Sequence, residues 1–468
     1  MPSAATGPVP VETAVGHRLE LVVGGTGPGD VSRLLETLRP RVYAAAGRCS
    51  GPGAGAGAPT CAEHGVVVPI GPQEDPEEVR ADLRRRLGPL PPATDLILRT
   101  SGSTTGTGSL VAAGMGSLVC SAQATHSRLG GPGTWVLALA THHVAGLQVL
   151  VRSLLAGREP VVVDTSGGFG PTALAEGLDK ALSQDPDGRV YVSLVPTQLL
   201  RVLRDPAAST VLARAAAVLV GGAGADPRLL RRARSAGVRV VTTYGMSETG
   251  GGCVYDGRPL DGVEVWIEHP DEAGVGRIGL SGPVLAEGYA HRPPPGGAEE
   301  LLGGGRPGTL VPDPAAPGPS AVLTWRGGSG TRQRVLLTAD QGRIDADGRL
   351  HVLGRLDDLI VTGGVKVSPR EVEEVLGSLP GVAEACVVGL AEPRWGTAVV
   401  AVVVPEPGVV LVGHEVRTQA RERLDGPHTP KHVVVVDRLP LRGPGKVDRR
   451  GVEELATDEL HAHLTAPW

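Results

Sequence analysis

The chain has 468 residues, of which 41% are hydrophobic and 20% charged, with a net charge of −5 at pH 7. That length and balance give a globular protein of two or more domains with a large core, not a disordered chain. The negative charge argues against a broad nucleic-acid face, and an aromatic content of 2% argues against a stacking platform for single strands.

Five scattered cysteines (Cys49, Cys61, Cys120, Cys253 and Cys386) include no zinc-type pair and fit a reducing compartment. The N-terminal stretch has no signal-peptide pattern. The longest apolar segment, Trp135 to Ala156, is interrupted by His142, His143, Gln148 and Arg152, too often for a membrane span. The expected location is therefore cytoplasmic.

In chain order, a helix is expected over Asp30 to Leu38, a surface loop over residues 46 to 60, and a charged helix over Asp75 to Leu87. Asp95 to Leu98 reads as a strand leading into Arg99-Thr-Ser-Gly-Ser-Thr-Thr-Gly-Thr-Gly-Ser-Leu110. The Ala- and Leu-rich Leu110 to Leu129 reads as the helix that follows. Short apolar runs then alternate with amphipathic stretches as far as Val238 to Thr242, the pattern of a parallel sheet covered by helices. From Gly262 the texture becomes antiparallel. Arg292 to Pro319 reads as a loose Gly/Pro insertion, and the last hundred or so residues as a small α+β domain, a usual domain size. The fold class is α/β, with a large N-terminal domain (1–354) of helix-covered sheets and a small mobile C-terminal α+β domain (355–468).

Ligands of such sheets sit beyond the carboxyl ends of strands. The 101–109 loop, Gly221-Gly222-Ala223 and Tyr244-Gly-Met-Ser-Glu248-Thr249 each stand at such an end. Thr100, Ser101, Gly102, Ser103 and Thr104 offer amides and hydroxyls to phosphate oxygens, although a flexible linker has the same composition. The stretch is no Walker P-loop, because it has no lysine. Tyr244 offers a ring to a purine, Ser247 a donor to phosphate, and Glu248 a carboxylate to Mg²⁺. Asp340 suits ribose hydroxyls, Arg355 supplies a cation, and Asp357-Asp358 a short acidic joint. Lys446 stands after Gly443-Pro-Gly445 in a chain whose other lysines are 180, 366 and 431, so it is a compact charge that can be aimed. Each residue has an ordinary reading: core tyrosine, helix-start carboxylate, turn former, surface ion pair, solvated lysine.

Together, and in this order, these pieces make the chain resemble the adenylate-forming superfamily of acyl- and aryl-CoA ligases, luciferases and peptide-synthetase adenylation domains. The resemblance runs from about Leu96 to Arg449 and includes Gly282-Pro283, Gly288-Tyr289, Thr338-Ala-Asp340, Gly354-Arg-Leu-Asp-Asp358 and Gly363-Gly364. It implies attack of a carboxylate on the α-phosphate of ATP, loss of pyrophosphate, rotation of the C-terminal domain and attack of a thiol on the acyl-adenylate. It implies these roles: Lys446 bridging carboxylate and α-phosphate; Asp340 and Arg355 on the ribose; Glu248 on Mg²⁺; Tyr244 beside adenine; Gly222, Ala223 and Gly245 in the nucleotide site; Asp357 as hinge; Gly363 and Gly364 lining the thiol tunnel of CoA. The family loop usually continues Thr-Gly-Thr-Pro-Lys-Gly; here it reads Thr105-Gly-Thr-Gly-Ser109, without the proline and the lysine.

Ser193-Leu-Val-Pro-Thr-Gln-Leu199 and His142-His-Val-Ala-Gly-Leu-Gln148 resemble the o-succinylbenzoate–CoA ligases of menaquinone biosynthesis. Such a substrate carries a second, aromatic carboxylate, for which His143, Thr197, Gln198 and Arg201 are the candidates; a core histidine and a solvent-facing arginine are the ordinary alternatives. The competing readings are another aryl- or acyl-CoA ligase, an adenylation enzyme that loads a carrier protein, and a non-catalytic nucleotide-binding homologue. The partners implied are a small carboxylate, ATP and CoA, with no nucleic acid and no membrane span; the oligomeric state is left open.

Overall fold

The computed structural model describes residues 10–12, 18–49, 65–100, 108–185, 187–291, 322–326, 333–392, 396–442 and 446–465. Residues 101–107, 443–445 and the expected insertion at 292–319 lie outside the described residues.

Two sheets sandwich a helical layer. The first runs Pro10–Glu12, Arg18–Val23, Val66–Ile70, Leu96–Arg99, Leu110–Ala113 and Gly288–Tyr289. The second runs Arg258–Pro259, Gly251–Tyr255, Val240–Met246, Ala217–Val220, Val190–Leu194, Thr134–Leu137 and Val161–Val162, and the last five of these are parallel. Helices Pro28–Cys49, Met115–Arg128 and Val144–Leu155 lie between the sheets. Their Leu34, Leu38, Leu118 and Leu150 share one core with Val67 and Leu96 of the first sheet and Trp135 and Leu219 of the second. Leu174, Leu178, Leu199 and Val202, on helices Pro171–Gln184 and Pro196–Arg204, cover the far side of the second sheet. Val79 and Leu83 of helix Pro76–Arg86 cover the first.

The expected order of strand, loop and helix is corrected at the 101–109 loop. Leu110–Ala113 is a strand, antiparallel to Leu96–Arg99 with Arg99 opposite Leu110, and the helix begins only at Met115. A short apolar run fits strand or helix equally well by periodicity. Gly114 separates the two elements here; a Cβ on it would lie 2.9 Å from the Ala93 carbonyl oxygen. Leu96–Arg99 and Leu110–Ala113 are therefore the two arms of a hairpin, and Leu110 does not open a helix.

Beyond these layers, Glu264–Glu268, Gly276–Ser281, Gln333–Ile344 and Val322–Arg326 form an antiparallel sheet, with Leu350–Arg355 added along Gln333–Ile344. The C-terminal region centres on Val382–Glu392, Gly396–Pro405 and His432–Val435. Its valine-rich middle strand is buried on both faces, as period-2 geometry requires of a covered strand. Val399, Ala401 and Val403 face helices Pro369–Gly377 and Gly413–Arg421, and Val400, Val402 and Val404 face helix Arg449–Thr465.

Candidate active site

In the second sheet Thr134–Leu137 lies between Val161–Val162 and Val190–Leu194, so consecutive crossovers leave it in opposite directions. Such a switch point opens a crevice at the carboxyl ends of the strands. The segments that leave those ends carry His142 and His143, Pro196 and Thr197, Gly221 to Ala223, and Tyr244 to Glu248, and all of these line one cleft. The cleft holds about 1740 Å³, above the roughly 300–1,000 Å³ of a small-molecule pocket, so a nucleotide and an acyl group fit together.

One wall is a bonded polar network. The Tyr244 hydroxyl donates to Asp340 Oδ2 at 2.6 Å. Asp340 sits opposite Arg355 in the strand register, with Arg355 Nη1 3.9 Å from its Oδ1. Arg355 also grips Asp357 through two hydrogen bonds of 2.7 and 2.6 Å. Burial pushes the Asp340 carboxyl up despite Tyr244 and Arg355. Burial, and then the charge of Asp340, push the Tyr244 phenol well above its ordinary value. Burial lowers the affinity of Arg355 for its proton, but the surrounding aspartates more than reverse this and hold it charged. Glu248, on the short 3₁₀ turn Ser247–Thr249, is buried, accepts from the Tyr289 hydroxyl at 2.8 Å, and is also pushed up by burial. A buried carboxylate without a full positive partner is costly, so Glu248 is chemically suited to a cation. Among the described residues no group of three His, Cys, Asp or Glu side chains could hold a metal ion. A divalent ion here would share Glu248 with ligand oxygens such as phosphates.

The second wall comes from the C-terminal region. Lys446, in the two-residue strand Lys446–Val447, lines the cleft; a Cβ on Gly222 would lie 3.4 Å from its Cε. Gly222 has φ +81°, which favours glycine, and so leaves room for the lysine stem. Across the interface Arg228 donates to the carbonyls of Ser378 and Leu379. His143 precedes helix Val144–Leu155, with its ring 4.3 Å from that of His142. Burial, then His142 and Lys446, depress its pKa to about 4, so it is neutral near pH 7.

The other expected residues divide. Thr100 and Ser109 close the hairpin mouth: Thr100 N–H donates to Ser109 O at 2.9 Å, and Ser109 N–H to Thr100 Oγ1 at 2.8 Å. Both line the cleft, whereas Ser101, Gly102, Ser103 and Thr104 lie outside the described residues. Gly245 must be glycine, since a Cβ would lie 2.0 Å from Gly251 O. Ser247 and Ala223 line the cleft. Thr197 does so too, whereas Gln198 and Arg201 are not among the cleft-lining residues. The Gln198 amide is spent internally, accepting from Val195 N–H at 3.1 Å and donating to Ala138 O at 3.1 Å. Arg201 is exposed and faces the Glu384 carboxyl of the C-terminal region. Gly363 and Gly364 form the exposed tip between Ile360–Thr362 and Val365–Val367, at φ +55° and +82°, away from the cleft lining. Sequence reasoning passed over Arg152 as a mere break in an apolar run; it is buried and lines the cleft. The available signal was an arginine four residues after Gln148 on an apolar helix, which places both on one face.

Comparison with known proteins agrees with this geometry. Residues 57–290 match the model of the AMP-binding enzyme family, and 371–446 that of the AMP-binding enzyme C-terminal domain. A probable 2-succinylbenzoate–CoA ligase of Mycobacterium tuberculosis is 42% identical over 76% of this chain and 82% of its own. The o-succinylbenzoate CoA synthetase of Bacillus subtilis, solved with its acyl-adenylate OSB-AMP, is 28% identical with a TM-score of 0.59, covering 77% of this chain and 69% of that one. The same synthetase has been solved with ATP and magnesium ion. MatB of Rhodopseudomonas palustris, 21% identical, shares the fold over 96% of this chain and 95% of its own with a TM-score of 0.66. The chain belongs to the AMP-binding enzyme family, with the adenylate-forming fold of a large N-terminal domain and a C-terminal AMP-binding domain, and is an AMP-forming acid–thiol ligase.

Proposed function

We propose that the protein activates o-succinylbenzoate with ATP and transfers the acyl group to CoA, a step of menaquinone biosynthesis in the cytoplasm. The observation that carries this reading is the convergence of Lys446 with His143, Glu248 and the Tyr244–Asp340 pair on one cleft. The similarity to 2-succinylbenzoate–CoA ligases supports the choice of acid.

In the first half-reaction the aliphatic carboxylate attacks the α-phosphorus, and the bond to the bridging oxygen of pyrophosphate breaks. Negative charge builds on the α-phosphate oxygens, and the half-buried Lys446 ammonium meets it from the cleft wall. Such a preorganised donor is worth about 3–4 kcal/mol of barrier. Asp340 accepts from the ribose hydroxyls and Tyr244 flanks the adenine. Mg²⁺ bound with ATP would be held by Glu248 and would supply charge neutralisation of the departing phosphates. His143, neutral at pH 7, lines the acyl side without a competing charge.

In the second half-reaction the CoA thiol attacks the acyl carbonyl and AMP leaves. We assign Asp357 as the hinge whose φ/ψ change swings Lys446 out and brings the Gly363-Gly364 tip to the pantetheine arm. The left-handed glycines at that tip leave no Cβ to block a thin chain.

The test is ATP-dependent CoA thioester formation across a panel of aryl keto acids, read by mass. The o-succinylbenzoyl thioester is expected to dominate. Adenylation with transfer only to a carrier protein, or no pyrophosphate release with any acid, refutes the reading.

A further inference from the structure

Arg152 is 3% exposed and lines the cleft, yet among the described residues it meets no carboxylate. One Nη donates to the Tyr255 hydroxyl at 3.3 Å, and the guanidinium lies 4.9 Å from the Trp135 ring centre. Its Nε has no hydrogen-bond partner among the described residues. Among the described residues Trp135 Nε1 and His126 Nε2, on the two rings nearest the guanidinium, are also buried without partners, as is Gln148 Oε1 one turn earlier on the helix. Burial, then Arg152 itself, depress the pKa of His126 to about 4, so the histidine adds no rival charge. A buried, cleft-lining cation that meets no carboxylate among the described residues is a site for an anion.

The position fits the acyl end of the cleft. His143 precedes helix Val144–Leu155 and Arg152 lies in its last turn, nine residues or about 13 Å further along the axis. Helical side chains lean back toward the N-terminus by about one turn, which leaves roughly 8 Å between the level of His143 and the guanidinium. The succinyl arm and ortho-substituted ring of the acid bridge such a span. Gly251 and Gly252 thin the wall between: a Cβ on either would lie 3.3 Å from Gln148 Cγ or 3.0 Å from Tyr255 Cε1. The Gln148 amide nitrogen is taken by the carbonyls of Leu118 and Gly250, so it is no competitor for a carboxylate.

We propose that Arg152 is the specificity-determining partner of the ring carboxylate at the closed end of the acyl cleft. The proposal rests on the o-succinylbenzoate reading. The test compares kcat/KM for o-succinylbenzoate and for 4-phenyl-4-oxobutanoate, which lacks only the ring carboxylate, in the wild type, Arg152→Met and Arg152→Lys. The ratio of the two constants does not depend on the fraction of folded enzyme, so a poorly folding variant still reports. The wild type is expected to favour the dicarboxylate about a hundredfold, the strength of one charged hydrogen-bonding partner in a site built for it. Arg152→Met should bring the ratio near one, and Arg152→Lys should keep an intermediate preference. A wild-type preference that survives in Arg152→Met overturns the role of Arg152 and leaves the substrate reading standing; the orphan donors then hold water alone. A wild type that prefers neither acid overturns both.

Discussion

The two walls of the cleft are built to different standards. Asp340 stands on a strand of 12 residues, Gln333–Ile344, paired on both sides within its sheet, and its carboxylate is tied to Tyr244. Lys446 stands on a strand of two residues whose partner in the register is Leu441–Arg442, itself only two residues long. The first wall fixes its groups before any ligand arrives; the second presents the half-buried Lys446 on a narrow ribbon. The contrast fits two half-reactions in which nucleotide contacts persist and the lysine is needed once. Preorganisation lowers the barrier where charge develops, whereas a group that must withdraw is better placed on a light element.

The largest expected effect tests the light wall. Lys446→Ala should slow adenylation by about 3–4 kcal/mol, several hundredfold, by analogy with the loss of an oxyanion donor. Thioester formation from a supplied acyl-adenylate should stay close to the wild-type rate. Single-turnover assays of each half-reaction measure both. Equal losses would make the lysine part of the fixed wall and erase the contrast.

The next effect tests the joint between the walls. Proline fixes φ, so Asp357→Pro should leave pyrophosphate exchange within about tenfold while CoA transfer fails. The substitution also removes the carboxylate that grips Arg355. Asp357→Asn serves as the control, since it weakens the grip and leaves φ free. If Asn and Pro behave alike, Asp357 acts by holding Arg355 and the hinge lies elsewhere.

Much of the fixed wall was readable in the sequence, because glycines, carboxylates and a tyrosine at the ends of apolar runs mark strand ends in a parallel sheet. What could not be read was which side chains the fold spends elsewhere. Arg201 and Thr197 stand on one face of one helix, yet Thr197 lines the cleft while Arg201, one turn on, is exposed beside Glu384. Gln198 looks like a free amide in the sequence and is consumed by Val195 and Ala138 in the fold. Helix Pro28–Cys49 runs past the expected end at Leu38 and through Pro40, because Val42 and Ala45 continue the buried stripe and tertiary packing outweighs the local cost of proline. Arg152 counted against a membrane span in the sequence; only the packing around it shows a charge that meets no carboxylate among the described residues.

The smallest effect concerns the edge of the fixed wall, where the family lysine is absent. Ser109 lines the cleft, and its backbone pins the hairpin mouth by both hydrogen bonds to Thr100. Arg86 adds a donor to the neighbouring Gly108 carbonyl. None of these contacts uses the Ser109 side chain, so Ser109→Lys adds a cation without removing a pin. A partly exposed charge facing phosphate gains at most about 1 kcal/mol, so the KM for ATP should fall up to about fivefold or stay unchanged. ATP titration of initial rates in the wild type and the variant measures it. A marked rise in KM would mean that the loop is shaped around amides and hydroxyls alone, with no room for the lysine its relatives use. The fixed wall would then extend through the hairpin, and its preorganisation would include the phosphates as well as the nucleoside.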